Sequence, residues 1–476
     1  MNLFNTPPLS RRQMLQRSAC GFGSLALAAL CRDSLQAGST NPLQAKPAQF
    51  PARAKRVIFI FMQGGPSHVD SFDYKPQLEA NHQKEVDVLG YRFNDFRKMT
   101  KRTMMKPLWD FHRYGQTGHY VSDLFPETAK HVDDICFLRG MHTEGIAHGP
   151  ATLFLHTGSV NQVRPSVGSW VSYGLGSDNE NMPAFVSLMP TERMGGPQNY
   201  GNAFLPAIHQ GTAIGKAEQP IEQVKIDHIT NPRLSTADQR KQFHLLQNLN
   251  RAQAISSPHE DNIDATINAF ELAYRMQLNA PGLTNIEGES EATKSIYGIG
   301  EKHTDAFGRQ CLMARRLAES GVRYIQVNYS DNHGGNPRWD QHSNMPKHAQ
   351  HAKAVDKPVA GLLQDLKSRG LLEDTLVWWG GEFGRTPFSQ NNDGRDHNPH
   401  GFTVWLAGAG VKPGFSYGAT DEWGYMAVQD KMHMHDLHAT VLHLLGLDHE
   451  QLTFRYAGRD FRLTDVYGKV ANEILA

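Results

Sequence analysis

The amino-acid sequence predicts an α/β protein, an α/β/α sandwich around a largely parallel central sheet. Two observations support this class: several short apolar runs end in polar or glycine-rich residues, and amphipathic helix patterns lie between some of them. The chain has 476 residues, of which 39% are hydrophobic, so it is long enough to bury a large core. We therefore assign residues 56–476 to one such domain.

Five runs of mainly apolar residues predict the strands. Because most of them lack polar alternation, they fit strands that are buried on both faces of a parallel sheet. The runs are residues 57–62, 135–138, 324–329, 375–379 and 402–406. In open α/β sheets ligands bind at the carboxyl edge, which is where the polar residues after several of these strands would lie.

Two helix patterns accompany the later strands. The first has one apolar stripe, which consists of Val355, Val359, Leu362, Leu363 and Leu366. The second pattern, residues 437–445, is closed by Gly446. A strand, a crossover helix and a strand in series predict a right-handed parallel connection.

Residues 177–300 differ from the rest of the chain. Loop-like stretches rich in proline, glycine and asparagine are followed by polar helical sequence at 243–250 and 263–278. We interpret this region as an insertion that caps the sheet edge.

The first residues predict an export signal. Arg11 and Arg12, within the phrase SRRQML, resemble the twin-arginine motif, and the apolar run at 21–30 is too short for a membrane span. We predict a signal peptide at 1–38 read by the twin-arginine export machinery, a linker at 39–55, and a periplasmic or secreted protein. No later stretch is apolar for the length of a stable span. After removal of the signal peptide, Cys136 and Cys311 are the cysteines that remain, enough for one possible disulfide.

Charge and histidine content narrow the function. Lysine plus arginine and aspartate plus glutamate number 48 each, so no broad positive field favours nucleic acid as a partner. The 24 histidines, many of them after residue 330, predict a site, because histidine is both a common metal ligand and a general acid or base.

Four phrases carry a family resemblance: GGPSH at 64–68, EDTLVWW at 373–379, GGEFGRTP at 380–387 and AGRDFRLTD at 457–465. With them the chain resembles the alkaline phosphatase/sulfatase superfamily, and most closely an exported bacterial family of sulfatase-like domains of unknown function. The resemblance covers nearly the whole mature chain. It implies an alkaline phosphatase-like fold and metal-dependent hydrolysis of sulfate or phosphate esters, with a small-molecule or polysaccharide substrate.

The resemblance also implies metal ligands. The superfamily places an aspartate and a histidine after the third strand, where Asp340 and His342 stand, although His348 or His351 could take the histidine role. Glu382 occupies the place of a metal-binding aspartate; its alternative role is a pair with Arg385.

Further ligands are expected before the fifth strand and after the first. The segment before the fifth strand contains Asp396, His397 and His400, with His397 our first choice and His400 our second. After the first strand the candidates are His68, Asp70 and Asp73; Asp70 is favoured, and a capping role is its alternative. Mixed nitrogen and oxygen donors indicate a divalent metal, which we take as zinc, manganese or calcium.

The nucleophile departs from the superfamily pattern. His148 stands at the first position of the predicted helix 148–158, where sulfatases carry Cys-x-Pro-x-Arg. Three interpretations are open: His148 binds metal or acts as acid/base, Thr143 is a displaced nucleophile, or metal-activated water attacks. We favour the third, and His142 lies in the same loop.

The sequence thus predicts an exported metal-dependent hydrolase of sulfate or phosphate esters. The alternative is a catalytically silent binding protein that keeps the sulfatase-like fold, because the sulfatase nucleophile is missing. A phosphomutase is a third hypothesis, and export would separate it from phosphorylated central metabolites.

Overall fold

A computed structural model describes residues 43–90, 98–224, 234–256, 267, 270–272, 274–275, 285–333 and 337–476. The predicted signal peptide, residues 1–38, lies outside the described residues. Within the described part of the chain, none of the helices combines the length and the apolar character that a membrane span requires.

The described residues form nineteen strands. They are β1 Arg56–Met62, β2 Glu85–Leu89, β3 Met99–Thr103, β4 Phe111–Tyr114, β5 His119–Ser122, β6 Ile135–His142, β7 Phe185–Leu188, β8 Thr212–Ile214, β9 Tyr324–Tyr329, β10 Thr375–Gly380, β11 Gly384–Gln390, β12 Gly394–Asn398, β13 Phe402–Ala407, β14 Phe415–Tyr417, β15 Ala419–Thr420, β16 Ala427–Gln429, β17 Met432–His433, β18 Phe454–Tyr456 and β19 Arg459–Phe461.

The same residues form eight α-helices. They are α1 Pro76–Ala80, α2 His148–Thr157, α3 Val167–Leu175, α4 Thr236–Ser256, α5 Glu291–Ile296, α6 Asp305–Glu319, α7 Lys347–Ser368 and α8 Met434–Leu444.

The central sheet has nine strands in the order β14-β6-β13-β10-β1-β9-β7-β8, with β17 also paired to β6. The pairs of β1 with β10 and β9 are parallel, as are those of β7 with β9 and β8. β13 runs antiparallel to both β10 and β6. The prediction of a largely parallel sheet is confirmed.

The reversed direction of β13 has a local cause. Parallel neighbours need a long crossover, usually a helix, whereas the connection from β10 to β13 contains the antiparallel hairpin β11–β12. The chain therefore turns back at the edge where β10 ends. As a result, the start of β13 lies at the edge of the sheet where β10 and β6 end.

Helices cover both faces of this sheet. Alternate residues of β1 belong to two different cores: Ile58 and Ile60 pack with residues of α6 and α7, and Phe59 and Phe61 pack with residues of α2, α3 and α8. The predicted stripe of α7, from Val355 to Leu366, is buried in the first of these cores. These layers form the predicted α/β/α sandwich.

The described part of the predicted linker is packed against the domain. Leu43 is buried, and the backbone N–H groups of Lys46, Gln49 and Arg53 donate to the carbonyls of Leu175, Gly446 and Leu444 respectively. Residues 43–55 are thus held by hydrogen bonds that the polar, proline-containing sequence did not indicate.

The predicted insertion at 177–300 contributes to the central sheet. β7 and β8 lie within this range and extend the sheet beyond β9. The predicted helical stretch at 243–250 falls within α4, and most of the stretch at 263–278 lies outside the described residues. The possible disulfide is absent, since Cys136 and Cys311 are both free and buried.

Candidate metal centre

Side chains from four separate segments meet at the carboxyl edge of the sheet. His148 is the first residue of α2, Asp340 and His342 follow β9 in the chain, and His397 lies in β12. Each of the four offers a ligand atom, and these atoms all lie within 4.8 Å of one another. The sequence prediction that distant acidic and imidazole groups converge here agrees with this arrangement.

Asp340 is at the centre of the cluster. Its Oδ1 lies 2.8 Å from His342 Nε2 and 3.3 Å from His397 Nε2, and its Oδ2 lies 3.2 Å from His148 Nε2. The Nε2 atoms of His342 and His397 are 3.1 Å apart. A third group, the Arg385 guanidinium, approaches Oδ1 to 2.7 Å.

These separations fit ligands of one metal ion. A tetrahedral zinc ion with bonds of about 2.0–2.1 Å to nitrogen and oxygen would hold its ligand atoms about 3.3 Å apart. The His148 side chain that supplies one of these atoms is buried, and its Nε2 faces the Asp340 carboxylate. Three imidazoles and one carboxylate suit zinc or manganese better than calcium, which takes six to eight oxygen ligands.

The electrostatics keep the carboxylate ionised. Burial raises the pKa of Asp340, but hydrogen bonds from the three histidines and the charge of Arg385 together lower it well below its ordinary value. For His148 burial acts to lower the pKa, and the carboxylates of Asp340 and Glu382 raise it above the ordinary value. The hydrogen bond to Asp340 raises the pKa of His342, whereas burial lowers that of His397.

Glu382 lies behind His148, outside the four-residue cluster. Its Oε1 is 2.6 Å from His148 Nδ1, and both carboxylate oxygens accept from the Gly64 N–H at 3.0 and 3.1 Å. Glu382 therefore binds the ring nitrogen opposite the one that faces Asp340. The sequence analysis offered a Glu382–Arg385 pair as the alternative role of Glu382. In the described contacts Arg385 pairs with Asp340 instead.

Gly64 permits this close packing. It has a φ of +105°, and a Cβ at this position would approach the backbone nitrogens of Trp339 and Asp340 to 2.8 Å. The glycine therefore lets the loop after β1 contact both Glu382 and the chain that carries Asp340.

Two other predicted residues, Asp396 and His400, lie outside the four-residue cluster. Asp396 Oδ1 accepts from the His397 N–H and lies 3.8 Å from His342 Nδ1. His400 packs at 6.2 Å from the ring of Tyr425. Neither Asp396 nor His400 belongs to the four-residue cluster.

The remaining loop candidates are placed as follows. The ring of His142 lies 4.9 Å from that of His433, in a neighbouring group of histidines. Thr143 donates its backbone N–H to the carbonyl of Pro399, and its hydroxyl is buried without a partner among the described residues.

The candidates after β1 have other partners. Asp70 Oδ2 lies 2.7 Å from Arg395 Nε, and both side chains are completely buried. His68 Nε2 is 2.7 Å from the carbonyl oxygen of Gly424, and Asp73 pairs with Lys75 at 3.2 Å. The structure therefore separates the predicted ligand Asp70 from the cluster, because Arg395 occupies its carboxylate.

The alternative histidines of α7 are also engaged elsewhere. His348 Nε2 accepts from the Ser67 N–H, and His351 Nδ1 lies 3.0 Å from the hydroxyl of Tyr329. His342 is thus the histidine of this region that approaches Asp340. Sequence reasoning missed Arg385 as the partner of Asp340, although the phrase GGEFGRTP had placed it near the site.

Fold and site together define an α/β protein with a candidate metal centre at the carboxyl edge of its central sheet. The chain belongs to the family described as "Protein of unknown function (DUF1501)", whose sequence model matches residues 54–475. A search of curated proteins gives no match.

Several solved structures are similar to this chain at low identity. The lipoteichoic acid synthase LtaP from Listeria monocytogenes is 9% identical, with a TM-score of 0.39 over 89% of this chain and 78% of that chain. The PsFucS1 sulfatase from Pseudoalteromonas sp. is 11% identical, with a TM-score of 0.36 over 82% and 68%. A mutant of TAB5 alkaline phosphatase is 10% identical, with a TM-score of 0.34 over 83% and 99%. At TM-scores below 0.5 these similarities assign no activity to this chain.

Proposed function

We propose that this protein is an exported, metal-dependent hydrolase of sulfate or phosphate esters of small molecules or polysaccharides, and that it belongs to the alkaline phosphatase/sulfatase superfamily. The observation that carries the proposal is the convergence of His148, Asp340, His342 and His397 within 4.8 Å. The four sequence phrases that resemble the superfamily support the same reaction class. The twin-arginine phrase at the N-terminus supports export to the periplasm or the medium.

The chain's own residues would divide the work as follows. His148, Asp340, His342 and His397 would hold a divalent cation, which when bound polarises an ester oxygen and lowers the pKa of a bound water to about 7. Glu382 accepts the Nδ1–H of His148 and thereby leaves Nε2 free to bind the cation. The Arg385 guanidinium, 2.7 Å from Oδ1, would hold the carboxylate of Asp340 in place.

The N-terminus of α2 lies at this centre, because His148 is its first residue. In general, the backbone N–H groups of a helix's first turn and the helix dipole favour an anion near this point. A negatively charged ester would therefore meet both the cluster and a helix end that attracts it. This combination favours sulfate and phosphate esters over neutral esters.

A catalytically silent metal-binding protein is the second candidate. The feature that favours it is the missing sulfatase nucleophile, since His148 stands at the helix position where sulfatases carry Cys-x-Pro-x-Arg. The decisive experiment is metal analysis of the purified protein, followed by assays with aryl sulfate, phosphate monoester and phosphate diester substrates. Turnover that depends on bound metal supports the hydrolase. Bound metal without turnover of any substrate would favour the binding protein.

Replacing Thr143 with valine distinguishes the two proposed nucleophiles. Valine keeps the volume and removes the hydroxyl, so we expect kcat to change by less than about threefold if water attacks the ester. The assay is steady-state hydrolysis with the best substrate of the panel. A loss of activity with normal metal content and folding would instead identify Thr143 as the nucleophile.

Replacing Glu382 with glutamine tests its role behind His148. Loss of a carboxylate that orients a metal-binding histidine typically lowers metal affinity by about 10- to 100-fold, so we expect a decrease of this size. Glu373→Gln, at an exposed position before β10, is the matched control. Affinities are measured by competition with a chromogenic chelator. Unchanged affinity in the Glu382 variant would contradict the positioning role.

Metal affinity is expected to decrease as the pH falls below neutrality. The pKa values of His148 and His342 are raised, and their protonated rings cannot bind a metal. Protons therefore compete below these raised pKa values, and the competition disappears above them. Calorimetric titrations with zinc at several pH values measure this dependence, and a constant affinity between pH 5 and 8 would contradict it.

A further inference from the structure

A cavity of about 340 Å³ lies at the carboxyl edge of the sheet, beside the ends of β7 and β9. Its described lining also includes residues 217–221, which follow β8, and part of α6. No residue of the four-residue cluster belongs to this described lining. Ligands of open α/β sheets bind at this edge, and small-molecule sites have volumes of about 300–1,000 Å³. The cavity is therefore a candidate ligand site distinct from the candidate metal centre.

Gln310 is a buried amide that lacks a hydrogen-bond partner in the described part of the chain. It lines the cavity from α6, it is 8% exposed, and its Oε1 is buried and unpaired. Buried amides are nearly always hydrogen-bonded, because an unpaired one costs free energy. A half turn about the terminal bond exchanges the oxygen and the nitrogen, so either end of the amide can face the cavity. A ligand hydroxyl, which both donates and accepts, would satisfy this amide.

Arg338 supplies a positive charge to the same cavity. Its Nε donates to the carbonyl of Ser330 at 2.9 Å, and its guanidinium carbon lies 4.7 Å from the ring centre of Tyr329, whose hydroxyl it also contacts. These contacts hold the half-buried side chain in place. Among the described residues, no carboxylate forms an ion pair with Arg338. The guanidinium can therefore pair with an oxyanion brought by a ligand.

Two carboxylates of the surrounding loops contact other groups. Asp331 Oδ1 accepts the His333 N–H at 3.2 Å, and Oδ2 lies 3.6 Å from His333 Nδ1. Glu218 Oε2 accepts the Asn332 N–H at 3.3 Å, and Oε1 lies 3.4 Å from His333 Nδ1. The charge of Arg338 acts on Asp331 from beyond ion-pair distance. Because both acidic groups carry negative charge close to the cavity, a singly charged anion suits it better than a doubly charged phosphate.

We propose that this cavity binds a small carboxylate that also carries hydroxyl groups, which is the chemistry of a sugar acid. Arg338 would hold the carboxylate through two parallel N–H donors, and the amide of Gln310 would pair with a hydroxyl. The exposed Glu218 offers an acceptor for a second hydroxyl. The inference is independent of the proposed function, because it needs neither a metal nor the hydrolysis of an ester.

Calorimetric titrations of the metal-loaded full chain test the ligand class. The probes are D-glucuronate, D-glucose, acetate and inorganic phosphate. We expect D-glucuronate to bind about 10- to 100-fold more tightly than D-glucose, the range for a charge-assisted hydrogen bond, and more tightly than acetate, which lacks the hydroxyl groups. Failure of D-glucuronate to bind would overturn the proposal, and so would tighter binding of phosphate than of D-glucuronate.

Variants on two different elements assign the binding to this cavity. Arg338→Gln should weaken D-glucuronate binding by about 10- to 100-fold and leave D-glucose unaffected. Gln310→Met, which removes the amide at similar volume, should weaken both sugars by about 3- to 10-fold. Arg309→Gln is the control, because Arg309 lies on α6, pairs with Asp305 and is not among the described lining residues. Equal D-glucuronate binding by the wild type, Arg338→Gln and Gln310→Met would overturn the proposal.

Thermal unfolding shows whether the amide of Gln310 is kept for a ligand. An unpaired buried amide destabilises the ligand-free fold, so Gln310→Met should raise the melting temperature of the ligand-free protein. Added D-glucuronate should raise the melting temperature of the wild type more than that of the variant. A lower melting temperature together with unchanged D-glucuronate binding would make Gln310 a structural residue and overturn its assignment to the site.

These outcomes are separate from those of the hydrolase assays. If D-glucuronate binds through Arg338 and Gln310 while no ester is hydrolysed, the proposed function fails and the sugar-acid site is supported. If esters are hydrolysed while D-glucuronate does not bind, the site is overturned and the hydrolase is supported.

Discussion

Asp340→Asn is expected to abolish tight metal binding and, with it, ester hydrolysis. Asp340 is the single carboxylate of the four-residue cluster, and its two oxygens approach all three histidines. Asparagine keeps the shape but removes the negative charge that would balance a divalent cation. We therefore expect metal affinity to fall by more than the roughly 10- to 100-fold typical of groups that only orient a ligand.

Elemental analysis after dialysis measures the retained metal, and hydrolysis is assayed in parallel. Asp393→Asn, at an exposed position between β11 and β12, is the matched control and should retain both properties. Asp340→Asn also leaves the buried Arg385 beside a neutral amide, so thermal unfolding must show that the variant is folded at the assay temperature. A folded variant with wild-type metal content would contradict the proposed centre.

Asp70→Asn is expected to lower the free energy of unfolding by about 3–5 kcal/mol, because breaking a buried ion pair leaves an uncompensated charge. Asp70 and Arg395 are both completely buried, with 2.7 Å between Asp70 Oδ2 and Arg395 Nε. Arg395 also donates to the carbonyls of Thr386 and Met105. The loss therefore affects the junction between the loop after β1 and the hairpin β11–β12.

Urea-induced unfolding measures this effect, and the comparison is Asp460→Asn, which removes the exposed pair with Arg455 and should leave stability almost unchanged. The same experiment separates the two roles predicted for Asp70. A structural role lowers stability and leaves the metal content of the folded protein intact. Lost metal with unchanged stability would restore Asp70 as a ligand.

The sheet was predictable because its strands are apolar on both faces. The buried runs at 57–62 and 375–379 correspond to β1 and β10, and the stripe of α7 faces the sheet as its spacing indicated. The hairpin β11–β12 was missed because its sequence is polar. Arg385 and Arg395 are fully buried in it, and their partners lie far away in the chain, where no local pattern can reveal them.

The site was predictable in composition and less so in detail. The superfamily resemblance predicted Asp340, His342 and His397 as ligands, and their side chains meet in space. The roles of Glu382 and His148 depend on which nitrogen of one imidazole faces which carboxylate, and residue order carries no such information. Asp70 was favoured as a ligand for its position after β1. Its actual partner, Arg395, lies 325 residues further along the chain, so the sequence did not reveal the pair.

The reversed course of β13 has a consequence for how proteins of this family can diversify. Residues 381–401 connect β10 to β13, and they leave and rejoin the sheet at the same edge. The length of this segment can therefore change without a change in strand order. Exchanging this segment between homologues would transfer Glu382, Arg385 and His397 together. The contacts of the candidate metal centre could thus change in one exchange, while the strand order of the sheet stays the same.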